Sequence, residues 1–392
     1  MTTADPVAPE KPLRENLMQI PLPDSDTVNL VPPDAREVQT LARGFMGTIA
    51  PAAGITTLQD VLITAICKSM TGHSVKLSEL EPLEPDAFAP TLRWRSTEFR
   101  TRIVQDMLLG EMILDPIPEE VTANVARVAN LLGVDDAMLG LTREYAAGNF
   151  GLALIDFARN GYTQDWDGGR AEHVHTQNAL VEAWELCVDD PLLAARWASL
   201  ENCDRGTLGR AVFDLYRARG FEFPGNRGSA PPYLAQHDWV HVLADYGTSV
   251  EAEIEVFGLI ARAIPDPRGF AFLAMVIGLF ETGALQSGAG LFLPDRGHLS
   301  KDGMAGRLAD AMRRGASCRH DLMAVDWFDV ANQPVQDVRD LLGIVPKSDE
   351  AQTAGSVGPF SPRGISVFQM AAGQAAAEAN GRHYDPAGAS VG

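Results

Sequence analysis

Cysteine is scarce in this chain. Its 392 residues include Cys67, Cys187, Cys203 and Cys318, widely spaced and without a CxxC pair, which excludes a disulfide framework and a zinc ribbon and suits a reducing cytoplasm. Positive charge is also short. Lys and Arg number 32 against 52 Asp and Glu, a net charge of −20, so the chain lacks the means to grip a phosphate backbone or to adhere nonspecifically to anionic lipid, and nucleic acid is not expected as a partner. Long hydrophobic runs are missing too: the most apolar one, Gly269 to Phe280, ends at Glu281, well short of the ~20 residues that span a bilayer. The first residues are acidic and proline-rich, without the basic and apolar regions of a secretory signal, so the protein is expected to stay in the cytoplasm. There is no Walker A motif, nucleophile elbow or glycine-rich turn after a strand, and phosphotransfer, serine hydrolysis and dinucleotide redox chemistry therefore have no support.

What is present reads as helix. With 46% hydrophobic residues the chain has ample apolar content for a sizeable core. Residues 1 to 35 hold many prolines and little periodicity and are expected to be a disordered tail. Helical patterns follow over Arg36 to Ala50, Thr57 to Met70, Ser96 to Leu114 and Pro118 to Leu132, the last with Pro118 in its first turn, Gly133 beyond its end, and Val121, Val125, Val128 and Leu132 on one buried face. Asp135 to Ala147 and Phe150 to Asn160 continue the pattern, and no set of alternating strands appears. An all-α protein is expected, with an accessory helical bundle over residues 36–148, a second helical domain over 150–347, and an Ala-, Gly- and Ser-rich flexible tail over 348–392 in which Gly364 to Asn380 offers a short helix.

The chemistry concentrates in His237-Asp238-Trp239-Val240-His241 and, after an eleven-residue spacer, Glu253. On a helix over 232–246, His237 and His241 lie four apart on one face and can converge on one cation. A single straight helix would carry Glu253 ~18 Å beyond His241. The spacer breaks it: Gly247 is a suitable residue to end the first helix, and Thr248 with Glu251 reads as a capping box opening a second. An antiparallel pair folded at Gly247 brings His241 level with Glu253. Imidazole nitrogen and carboxylate oxygen suit zinc or another first-row divalent ion, with an open position for water or substrate and no redox role for the metal.

The pattern HDxxH, eleven residues, then Glu resembles the signature of the ubiquinone biosynthesis family to which the fourth coenzyme Q protein belongs. Gly206-Thr207-Leu208-Gly209-Arg210-Ala211 with Asp214 and Tyr216 is similar to that family's GTLGRA helix, and Pro334 to Arg339 with Leu342 to Pro346 is similar to its closing segment. The resemblance covers residues 150–347. It implies a mostly helical, dimeric protein with a prenyl-lipid cavity beside a divalent-metal site made of His237, Asp238, His241 and Glu253. The implied reaction is oxidative decarboxylation of a polyprenylated 4-hydroxybenzoate-type precursor, a hydroxyl replacing the carboxyl at C1, at or near the inner membrane and in company with other quinone-biosynthesis proteins. A non-catalytic scaffold that holds prenyl lipid is the alternative it leaves, and a metal-dependent hydrolase is a third. Residues 36–148 have the flavour of a tellurite-resistance TerB-like bundle.

Within that frame Asp238 is the candidate for proton transfer, because a carboxylate beside a cation and an apolar cavity can be tuned for it. Arg210 is a candidate for a substrate carboxylate, and Tyr246 for a place in the hairpin site. Phe272 and Phe280 belong to the apolar run Gly269 to Phe280, which reads either as plain core or as the lining of a lipid cavity or membrane contact. Asp165-Trp166-Asp167-Gly168-Gly169 fails as a calcium loop, with glycine at position five and no glutamate at twelve.

Overall fold

The computed structural model describes residues 31–72, 74–135, 139–140, 174–175, 189–264, 270–277, 281 and 296–386. Among these the only regular structure is helical, so the all-α expectation is met. The principal helices are α1 (Ala35–Ile49), α2 (Thr57–Thr71), α3 (Thr97–Met112), α4 (Glu119–Leu132), α5 (Pro191–Ala198), α6 (Leu208–Arg219), α7 (Gln236–Ala244), α8 (Val250–Ala263), α9 (Phe270–Ile277), α10 (Met304–Ser317), α11 (Val335–Leu342), α12 (Asp349–Thr353) and α13 (Val367–Ala379).

Local chemistry sets the helix ends. The Asp34 carboxylate accepts from the backbone N–H of Arg36 and Glu37 to open α1, and Thr56 with Gln59 forms a reciprocal capping box at α2. Pro118 stands at the cap of α4, one position before its first helical residue, and Gly133 closes the helix in the left-handed conformation. The expected helices over Asp135 to Ala147 and Phe150 to Asn160, and the Asp165 to Gly169 loop, lie outside the described residues.

One continuous apolar core runs from Val38 to Ile344. The boundary expected near residue 148 falls outside the described residues, but the helices on either side of it are packed together: α2 lies along α10, and α3 lies against α9. Lys68 of α2 also pairs with Glu350 of α12. At the centre, α8 packs along its length on α10. The approach is close because Gly258 faces Leu308 and Gly315 faces the Leu259 carbonyl, where an added Cβ would lie 2.2 Å from the oxygen. In α3, Arg102 and Asp106 are buried, and the Arg102 guanidinium lies 4.4 Å from the Phe270 ring of α9.

The segment expected as a flexible tail is built into the fold. Ser348 caps α12, Ser366 and Gln369 form a capping box at α13, and α13 packs on α6 through Gly373, where an added Cβ would lie 2.2 Å from the Ala218 carbonyl oxygen. Tyr384 closes the contact by donating to that carbonyl at 3.0 Å. Its Ala- and Gly-rich composition serves close helix packing.

Two expectations follow. Gly315→Ala should lower stability by about 1–3 kcal/mol in a urea titration, because backbone cannot yield to the new methyl; a gain of the ~1 kcal/mol that helix propensity alone favours would show that α8 and α10 are not in contact. Burial pushes the Asp106 carboxyl up to about 7 despite Arg102 and Arg262. Its raised value means that the native state keeps the proton over pH 4 to 7 while the unfolded chain releases it, so stability is lost as pH rises through that window. Asp106→Asn should therefore melt higher relative to wild type at pH 8 than at pH 4, and a difference independent of pH would refute the assignment.

Candidate metal centre

The hairpin expected from the sequence forms, with different hinge chemistry. Helix α7 ends at Asp245, which adopts the left-handed conformation at φ 58° and returns its N–H to the His241 and Val242 carbonyls. Aspartate tolerates that region better than most side chains. Gly247, expected as the terminating residue, is not at positive φ. It is small because the chain after α12 crosses it: an added Cβ would lie 2.4 Å from Gly364 Cα, and its N–H donates to the Val357 carbonyl at 2.9 Å.

The expected capping box of Thr248 and Glu251 also gives way. Ser249 occupies the cap position of α8 without a side-chain cap bond. Thr248 instead bonds Arg219 and Gln369, and Glu251 pairs with His298 at 2.7 Å and with Lys301. Long-range partners outcompete the local cap at both positions.

Helices α7 and α8 nevertheless bring the predicted ligands together. His237, Asp238 and His241 offer ligand atoms that all lie within 4.8 Å of one another. The Glu253 Oε2 lies 3.4 Å from His241 Nε2 and 3.6 Å from His237 Nε2, and Asp238 Oδ1 lies 3.4 Å from His237 Nε2. Glu253 sits in the first turn of α8, where the helix dipole favours a carboxylate.

Two of the four side chains are oriented from behind. His237 Nδ1 bonds the Leu234 carbonyl at 2.5 Å, which protonates that nitrogen and turns Nε2 toward the carboxylates. Tyr216, in the GTLGRA helix α6, donates its hydroxyl to Asp238 Oδ2 at 2.5 Å. Burial and the Asp238 charge raise the Tyr216 pKa well above its ordinary value, so the phenol stays a donor. The closing segment supports this helix: Leu208 N–H donates to the Gln333 carbonyl and Val335 N–H to the Gly206 carbonyl. Nothing in the sequence marked Tyr216 as the partner of Asp238; two turns of helix and a loop separate them.

The electrostatics favour a cation. Burial by itself would lower the His237 pKa, but Asp238 and Glu253 push it up to about 9. Burial would likewise raise Glu253, yet His241 and His237 hold its carboxyl well below the usual carboxylate range. His241 is fully buried, and neither of its ring nitrogens has a hydrogen-bond partner among the described residues. A buried imidazole without partners, facing a carboxylate, has the donor chemistry of a divalent-metal ligand, and the set of two imidazoles and two carboxylates fits zinc or a similar ion.

A cavity of about 280 Å³ opens onto His237, Asp238 and Glu253. Its walls come from Tyr216 and Phe221, from the loop at Ser229, Ala230 and Leu234, and from Phe368 and Gln369 of α13. Two of the predicted substrate residues lie elsewhere. Arg210 is engaged by Asp214 at 3.1 Å and the Glu201 carbonyl at 3.0 Å and does not line the cavity; as an i, i+4 pair on α6 it serves its own helix. Tyr246 follows the left-handed turn and stacks under Arg314, 4.9 Å from its ring, and Lys347 at 5.5 Å. The Phe272 side chain and Phe280 lie outside the described residues. No helix among the described residues is long and apolar enough to cross a membrane.

No family model and no curated protein matches the chain. One solved structure, of a candidate ubiquinone biosynthesis protein from Nostoc punctiforme, is similar over 62% of this chain and 97% of its own, at 17% identity and a TM-score of 0.29. A likeness at that score carries no argument.

The Tyr216 contact is open to test. Tyr216→Phe keeps the ring and removes the bond to Asp238, and zinc affinity, followed by competition with a chromophoric chelator, should fall by about 10-fold or more. An unchanged affinity would mean that Asp238 is either held by other groups or not a ligand.

Proposed function

We propose that this protein is a divalent-metal enzyme of ubiquinone biosynthesis that replaces the ring carboxyl of a 4-hydroxybenzoate-type precursor with a hydroxyl, the carboxyl leaving as carbon dioxide and dioxygen taking two electrons, so that precursor, dioxygen and water give the phenol, carbon dioxide and hydrogen peroxide. The observation that carries the reading is the convergence of His237, Asp238, His241 and Glu253 from two helices beside a largely apolar cavity, in the HDxxH and Glu spacing that resembles the quinone-biosynthesis signature.

The residues that would hold the metal are His237, His241 and Glu253, with Asp238 either a fourth ligand or a proton carrier. Bound there, the ion would act as a Lewis acid on the oxygens of the aromatic substrate. The chain supplies the rest. Tyr216 fixes Asp238 through Oδ2 and leaves Oδ1 turned toward His237, so the carboxylate is aimed at the centre where proton transfer takes place. Phe221, Ala230 and Leu234 give the ring an apolar seat and exclude water from it. A prenyl tail on the substrate would leave by the mouth at Phe368, whose side chain is 60% exposed.

Purified wild-type, Asp238→Ala and His241→Ala proteins, incubated with a prenylated 4-hydroxybenzoate in air and under nitrogen, provide the test through carboxyl loss by mass spectrometry and metal content by elemental analysis. Wild type should hold about one equivalent of metal and decarboxylate only in air. His241→Ala should lose both properties, since its site loses a buried nitrogen ligand. Asp238→Ala should lose turnover by 100-fold or more, on the order of a general acid or base. Metal and lipid retained without turnover would instead identify a lipid-holding scaffold, and turnover of an ester under nitrogen a hydrolase.

A further inference from the structure

Gln369 is nine-tenths buried, 5% exposed, on the first turn of α13, and it forms part of the wall of the cavity beside the metal centre. Its hydrogen bonds orient the amide. Arg219 Nε donates to Thr248 Oγ1 at 2.6 Å, and a guanidinium can only donate. The Thr248 hydroxyl donates to Gln369 Oε1 at 2.6 Å. The Ser366 backbone N–H donates to the same oxygen at 3.4 Å in the capping box. The backbone N–H of Ser366 can only donate and so sets the oxygen on that side, with the Thr248 hydroxyl donating to the same atom, and the two N–H donors of the amide are left with no protein acceptor among the described residues. A donor group with no protein partner, carried into the wall of a cavity by a side chain only 5% exposed, points to a ligand acceptor.

We propose that Gln369 is a substrate-binding residue whose amide donates to an oxygen substituent of the aromatic substrate, so that the C-terminal helix α13 is a working wall of the site. This rests on the reading of the site as one for an aromatic hydroxy acid. Arg219, itself buried and anchored to the Pro359 carbonyl at 2.7 Å and the Leu215 carbonyl at 3.3 Å, is the positioning residue that sets the Thr248 hydroxyl and through it the amide. The arrangement discriminates by chemistry: a ring bearing an oxygen acceptor satisfies the amide, whereas the same ring without one displaces water from the two donors and gives them no acceptor.

Gln369→Glu is the informative variant, since a carboxylate keeps both bonds made by Oε1, and with them the helix cap, while removing the N–H donors. Gln369→Met removes the donors without adding charge. Zinc content and the thermal melt of each variant are measured beside KM and kcat for prenylated 4-hydroxybenzoate, and the affinity of 4-hydroxybenzoate itself is measured by calorimetry. Both variants should retain zinc, and both should raise KM and weaken 4-hydroxybenzoate binding by about tenfold or more, the range for a lost bond to a charged acceptor. Gln369→Glu should melt as wild type does. Wild-type turnover with KM and affinity unchanged in both variants would overturn the role of Gln369 and leave the functional reading standing. A wild-type protein that holds zinc but neither binds nor converts either compound would overturn both.

Discussion

The carbonyls at the end of α7 have no helical partners, and the position of the candidate metal centre depends on what satisfies them. Arg339 of α11 donates to Leu243 at 2.7 Å and Val242 at 3.2 Å. Arg314 of α10 donates to Ala244 at 2.9 Å, and Lys347 donates to Asp245 at 2.5 Å. These cations come from different elements, complement the negative end of the helix dipole and fix a helix of nine residues that would not persist alone. His237, Asp238 and His241 are carried on that helix, so the geometry of the centre is set from its far end by side chains that never touch it.

Across the centre the constraint is charge. Two carboxylates buried among apolar side chains are tolerable only when compensated. A proton on His237 supplies one form of compensation, which is why Asp238 and Glu253 push its pKa up to about 9. A divalent cation supplies another and would use His241 Nε2, which faces Glu253 and lacks a hydrogen-bond partner among the described residues. The surrounding bonds from Tyr216 to Asp238 and from His237 to the Leu234 carbonyl hold the ligands in place for either.

The ligand set was legible because it is written in local periodicity. A spacing of four on a helix puts His237 and His241 on one face, and the hydrophilic break before Val250 permits the turn that returns Glu253. The turn itself was misread. Gly247 looked like the left-handed residue, yet Asp245 takes that role, and the glycine is there because Gly364 passes against it. Thr248 and Glu251 had the letters of a capping box but are drawn away by Arg219, Gln369, His298 and Lys301. Arg210, expected from the GTLGRA segment to meet a substrate carboxylate, and Tyr246, expected in the hairpin site beside Gly247, are both taken up by neighbours away from the cavity.

The sequence by itself determined the helical class and the donor set, since amphipathic spacing and the reach of an i, i+4 pair are properties of a single helix. Tertiary structure alone decided which groups orient those donors and what walls the cavity. Tyr216 is remote in the chain from Asp238, Gln369 is remote from the Thr248 it bonds, and a segment with the composition of a tail becomes a wall because its small residues let α13 lie directly against the Ala218 backbone of α6. A contact of that kind is specified by two surfaces at once, and neither stretch of sequence carries it alone.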